Sequence, residues 1–142
     1  MQILHPPGWA EPKGYVNGIL AQGELVFIAG QVGWDETGTF RAQDFVGQVR
    51  QCLENTLAVL SEAGAGPEHV ARMTWYITDR EEYLSNLEGV GLAYRDLMGR
   101  HFPVMTMVEV AALIEPEAMV EVETTAVVPI EPSESPLSRR VY

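Results

Sequence analysis

Few residues of this chain could do more than pack. It holds three histidines and one cysteine. His5, His69 and His101 stand at no metal-ligand spacing to one another or to carboxylates, so the pattern offers no metal site. Cys52, the single cysteine, excludes an internal disulfide and a cysteine-rich zinc centre. Its place on an apolar helix stripe suits a buried thiol better than a nucleophile. Oxygen chemistry has more candidates. Glu115, Glu117, Glu121 and Glu123 form a run that reads as a turn and a solvated or interfacial face, or as a source of one carboxylate that holds and deprotonates water. Tyr15 offers a phenol that either orients a ligand or sits at an interface. Trp34 and Asp35, just after Gly33, read as exposed turn residues more than as a pocket rim.

The charge narrows the partners. Twenty Asp and Glu against nine Lys and Arg give a net charge of −11. Such a surface repels phosphate backbones, and the only lysine is Lys13, so nucleic-acid binding is not expected. With 142 residues, 46% of them hydrophobic and 20% charged, the chain suits one folded domain. The first residues have neither a basic nor an apolar leader pattern, and no apolar run reaches membrane-spanning length. The expectation is a soluble, cytoplasmic, single-domain protein without cofactor.

The elements that would position these residues follow from periodicity. Residues 1–14 are rich in Pro and Gly and read as irregular. Tyr15–Ala21 and Leu25–Val32 read as a hairpin through Gln22-Gly23-Glu24. Phe45, Val46, Val49, Leu53, Leu57 and Leu60 recur at helical steps and predict a helix over Ala42–Ala63. Val70–Thr78 alternates as a strand. A capping box from Thr78 to Glu81 predicts a second helix through about Met98, with Gly89 and Gly91 marking close packing. Strands over Met105–Leu113 and Met119–Val128 complete the order ββαβαββ. That order implies an α+β sandwich, a mixed sheet with both helices on one face. Residues 1–128 form the domain, and 129–142 is a Pro- and Ser-containing tail expected to be flexible.

Alternation assigns the faces. Ala71, Met73, Trp75, Ile77, Val108, Val110, Val120 and Val122 are expected to meet the helices. The other face would carry Arg72, Thr74, Tyr76, Glu109, Glu121 and Glu123 with Met105, Met107 and Met119. It is too polar for a core and too rich in Met and Tyr for bare solvent, which predicts a surface shared between subunits.

Several segments, in order, carry a family resemblance: Gly14-Tyr15-Val16-Asn17-Gly18, Val26-Phe27-Ile28-Ala29-Gly30-Gln31-Val32, Thr78-Asp79, Phe102 to Val110, and Val120-Glu121-Val122-Glu123. Across roughly residues 12–129 the chain resembles the Rid (YjgF) family of enamine and imine deaminases. The resemblance implies a chorismate-mutase-like fold, a homotrimer, and small-molecule pockets between neighbouring subunits. It also implies that an arginine two positions after the proline clamps the substrate carboxylate. That position is Met105 here, a side chain that donates no hydrogen bond. Ala29 stands for the family's serine, Gly91 for its asparagine and Met107 for its cysteine, whereas Tyr15, Gly30 and Glu121 match.

By this resemblance the pocket comprises Ala29, Gly30, Gly91, Met105, Thr106 and Met107, with Glu121 and Tyr15 acting on water. Thr106, however, should point away from Met105 by alternation. Glu121 has a second reading, an interfacial carboxylate held by Arg72. Two functions stay open: a hydrolase or deaminase of enamine or imine intermediates with a more apolar pocket, or a non-catalytic ligand-binding trimer. The family's older endoribonuclease label fits poorly with the −11 charge and with no paired histidines. One prediction follows. Met105→Arg should strengthen binding of small carboxylates such as 2-oxobutanoate, with little gain in imine hydrolysis. Calorimetry at low salt measures this, and equal affinities would remove residue 105 from any ligand pocket.

Overall fold

Phe45, Val49, Cys52, Leu53 and Leu60 line one side of helix α1 (Phe45–Glu62), and all five are buried. Asp44 caps the helix, its carboxylate accepting from the Gly47 amide at 3.0 Å. This stripe packs on a four-stranded sheet in the computed structural model, which describes residues 1–130. The sheet order is β3 (Glu24–Val32), β6 (Val120–Val128), β4 (Val70–Ile77), β5 (Val104–Glu109). The β3–β6 and β6–β4 pairs are antiparallel; β4 and β5 run parallel. The crossover that parallel strands require is made of α2 (Arg80–Leu84) and α3 (Leu87–Met98), and α3 packs beside α1. The fold is the expected α+β arrangement, mixed sheet below and helices above. Among the described residues no helix is long and apolar enough to cross a membrane.

Four expectations need correction. The hairpin does not form. A short β2 (Gly18–Leu20) pairs instead with β1 (Gln2–Leu4), inside the stretch expected to be irregular. The nine-residue β3 takes β6 as partner, a pairing long enough to bury Ile28 and Val32, which a three-residue strand cannot provide. The second helix is broken. Its cap is Asp79, whose carboxylate accepts from the Glu81 amide at 2.9 Å. Thr78 lends its amide to the Met119 carbonyl instead. The Asn86 side-chain amide donates to the Glu82 carbonyl at 2.6 Å, side-chain competition that ends α2 before α3 begins.

The third correction concerns Val70, which is buried where Ala71 was expected, because a bulge between Val70 and Arg72 shifts the face. The fourth separates two glycines. Gly89 does sit close, since a Cβ there would lie 3.0 Å from Val46, but a Cβ at Gly91 meets nothing. The tail expected over 129–142 lies outside the described residues from 131 onward.

Gln48 links the layers. Only 1% exposed, it donates to the Ala42 and Glu117 carbonyls at 3.3 and 3.0 Å and accepts from the Met119 amide at 2.8 Å. It therefore fixes the entry to β6, and with it Glu121. Gln48→Leu keeps the volume and strands three backbone groups, so it should cost about 2–4 kcal/mol. Urea unfolding measures the loss; a midpoint equal to wild type would contradict this role.

Candidate functional site

The β4–β5 register decides where the candidates lie. Met73 pairs with Met105, Trp75 with Met107, Thr74 with Thr106 and Tyr76 with Val108. Paired residues on neighbouring strands point to the same face, and Met73 and Trp75 belong to the core. Met105 and Met107 therefore face the helices, contrary to the sequence expectation, and both pack against the core. Val108, expected inside, is exposed on the other face with Thr106. The alternation misled because β5 carries apolar residues on both sides, Val104 and Val108 on one and Met105 and Met107 on the other.

The expected site residues consequently fall into two groups. The first lies on the helix side, in a cleft of about 260 Å³ between α3 and β5. Its walls include Trp75, Tyr83, Tyr94, Phe102, Met105 and Met107, with Gly91, Arg95 and Gly14 also lining it. Tyr94 stacks on Phe102 at 5.8 Å and donates its hydroxyl to the His101 carbonyl at 2.9 Å. Tyr15, exposed, lies beside this group: Gly14 lines the cleft, and Val16 bridges in parallel to Val104 at the start of β5.

The second group lies on the open face of the sheet. Glu121 is half-buried, and its carboxylate occupies the space that a side chain at residue 30 would need; a Cβ on Gly30 would come within 2.8 Å of the carboxyl carbon. A side chain at residue 30 would have to displace the Glu121 carboxylate. Ala29 lines a neighbouring hollow of about 520 Å³ with Phe27, Arg72, Thr74 and Glu123. The Tyr76 hydroxyl donates to Glu123 at 2.6 Å, which raises the tyrosine pKa. Among the described residues the ion pairs do not include Arg72, so the alternative of Glu121 held by Arg72 has no contact behind it.

Within one chain the two groups do not meet. β5 and β3 are opposite edges of the sheet, three strand spacings or roughly 14 Å apart. Tyr15, Gly91, Met105 and Met107 belong to the β5 edge; Ala29, Gly30 and Glu121 belong to the β3–β6 edge. Thr106 faces away from Met105, as alternation requires.

Sequence reasoning missed Phe102 and Tyr83 as cleft residues. Arg95, one of several arginines in the sequence able to stand in for a clamp, lines the cleft four residues after Gly91 on one helix. Asp35 proves to be a loop organiser. Its carboxylate accepts from the Thr37 hydroxyl at 2.6 Å, the Thr37 and Thr39 amides, and Arg41 Nε at 2.7 Å. The Thr37 hydroxyl first and Arg41 second hold its pKa well below the usual carboxylate range.

With this geometry in hand, relatives are informative. Residues 9–128 match the family model described as Endoribonuclease L-PSP. A RutC family protein of Pyrococcus horikoshii is 32% identical over 126 residues, 88% of this chain and 96% of the relative. A 2-iminobutanoate/2-iminopropanoate deaminase of Salmonella typhimurium is 30% identical over 80% of this chain and 86% of its own length. Among solved structures, the conserved Rid family protein YyfB of Yersinia pestis aligns with a TM-score of 0.79 at 29% identity, covering 89% of this chain and 98% of that one. TdcF of E. coli with bound serine aligns with a TM-score of 0.63 at 30% identity, covering 90% and 99%.

Cys52 takes no part in either group. It is fully buried, its thiol 3.7 Å from the Val120 carbonyl, and burial, with the Glu121 carboxylate second, pushes its pKa far above the ordinary thiol range. The native protein should therefore not react with an aromatic disulfide reagent at mildly alkaline pH and should release one equivalent on denaturation. Rapid labelling of the native protein would contradict this.

Proposed function

The chain belongs to the Rid (YjgF) family, and we propose that it hydrolyses enamine or imine intermediates in a pocket completed by a second copy of itself. The observation behind this reading is the split of the residues at the family's pocket positions between opposite sheet edges. The β5 edge of one copy brings Tyr15, Met105, Met107 and Gly91; the β3–β6 edge of the next brings Gly30, Ala29 and Glu121. Association of unlike edges is head-to-tail, which gives a closed ring when the rotation between copies closes. The family resemblance supports a ring of three. The open face supports association, because Phe27 is 74% exposed and Leu25 60%, a cost that a lone chain would carry in water.

In the proposed reaction an enamine first takes a proton on its β-carbon and loses one from nitrogen, giving the imine. Glu121 takes a proton from water, whose oxygen bonds to the C=N carbon while the π pair moves to nitrogen. Nitrogen takes that proton back from Glu121 and then the hydroxyl proton, and leaves as ammonia when the C–N bond breaks and C=O forms. Imine and water thus become a 2-oxo acid and ammonia, with no change of redox state and no cofactor. Tyr15 orients the ligand. Relatives named as deaminases support the chemistry. Met105 in place of the clamp arginine supports a departure from the short imino acids: it offers no bidentate donor to a carboxylate.

The second reading, a ligand-binding trimer without chemistry, is favoured by the same substitution. Freshly generated imines monitored for ammonia release separate the two. Hydrolysis of 2-iminobutanoate should be negligible, while bulkier imines release ammonia at a rate that Glu121→Gln lowers about a hundredfold or more. Light scattering should give three times the 15.7 kDa chain mass. Ammonia from no imine would favour the binding reading, and a monomer mass would remove the shared pocket.

A further inference from the structure

From the helix-side cleft we infer that this protein selects 2-imino and 2-oxo acids with a bulky apolar or aromatic side chain, and that Arg95 holds their carboxylate. The inference rests on the proposed imine chemistry for its reaction class, but its recognition step stands on the cleft alone.

Three observations combine. The walls are aromatic and thioether: Trp75, Tyr83, Phe102, Met105 and Met107 give a ligand apolar surface and ring faces, with no acid among the cleft's lining residues. The volume, about 260 Å³, exceeds what a two- or three-carbon chain fills and approaches the range of pockets for larger ligands. The third is the pairing of Gly91 with Arg95. A helical side chain leans back over the preceding turn, so Arg95 leans over Gly91. Residue 91 has no side chain, and a Cβ there would meet nothing within 4 Å. That absence keeps the cleft open beneath the guanidinium.

Arg95 is exposed, lines the cleft, and is in none of the ion pairs among the described residues. On a chain of net charge −11, a cation left free above an apolar cleft complements an anionic head on an apolar body. The planar guanidinium also matches a carboxylate in two parallel hydrogen bonds. The charge lost at Met105 is in this way supplied from one turn of α3, farther from the cleft floor, which leaves the floor free for a larger side chain.

The probes are stable product-side acids, 2-oxo-3-phenylpropanoate and 2-oxobutanoate, with phenylacetamide as the uncharged control. Calorimetry at low salt should show the phenyl acid binding at least tenfold tighter than 2-oxobutanoate. Arg95→Gln should weaken the phenyl acid at least fivefold and leave phenylacetamide unchanged. Gly91→Leu should abolish binding of both aromatic probes without lowering the melting temperature, because leucine is the better helix former and has open space to enter. Equal affinity for the two acids, or unchanged binding in Arg95→Gln, would overturn the inference. Ammonia release distinguishes the two levels. Bulky imines hydrolysed equally by wild type and Arg95→Gln would leave the enzyme reading standing and remove Arg95, whereas Arg95-dependent binding without ammonia would do the reverse.

Discussion

Parallel pairing of β4 with β5 is the constraint from which the site follows. It places Met105 beside Met73 and Met107 beside Trp75, turning both thioethers toward the helices. It also demands a crossover, which here is α2 and α3, so the same pairing that aims the methionines hangs Gly91 and Arg95 above them. The closeness of α3 to α1 rests on Gly89, where a side chain would press on Val46. A slip of one residue in β5 would send Met105 and Met107 to the open face and Thr106 into the cleft. No other single pairing in the sheet has that much leverage over the site.

At the far side of the sheet a second constraint operates. Glu121 lies over Gly30, and the β6 strand that carries it is fixed at its start by Gln48 and along its length by nine-residue β3. The two edges are held in place differently and present different chemistry, one apolar with a cation at its rim, the other a carboxylate over a glycine. The proposed trimer brings them together without asking either edge to move. Specificity and chemistry would then be contributed by different copies.

Much of the fold was legible because its signals were local and strong. The stripe of α1 and the alternation of β4 each point to one buried face. Periodicity and turn signals along the chain set the order of the main elements. Where the reading failed, the competing force was tertiary. β2 looked like half of a hairpin, yet β6 offered β3 a longer partner. Thr78 resembled a cap, yet its amide was needed at the end of the sheet and Asp79 capped instead. The face of β5 was illegible for a plain reason: with Val and Met on both sides, the strand's own pattern has no preference, and only the neighbouring strand decides. Arg95 could not be singled out from the other arginines because an exposed arginine in the last turn of a helix is ordinary until a cleft is found beneath it.

The most direct test of the two-edge account is complementation between chains. Glu121→Gln impairs one edge and Gly91→Leu blocks the other, so each purified variant should release little ammonia from a bulky imine. After the two are unfolded together and refolded, mixed assemblies contain sites with an intact cleft from one chain and an intact carboxylate from its neighbour. The account predicts activity in the mixture well above that of either variant refolded alone. A mixture no more active than its parents would mean that cleft and carboxylate do not serve one site across an interface.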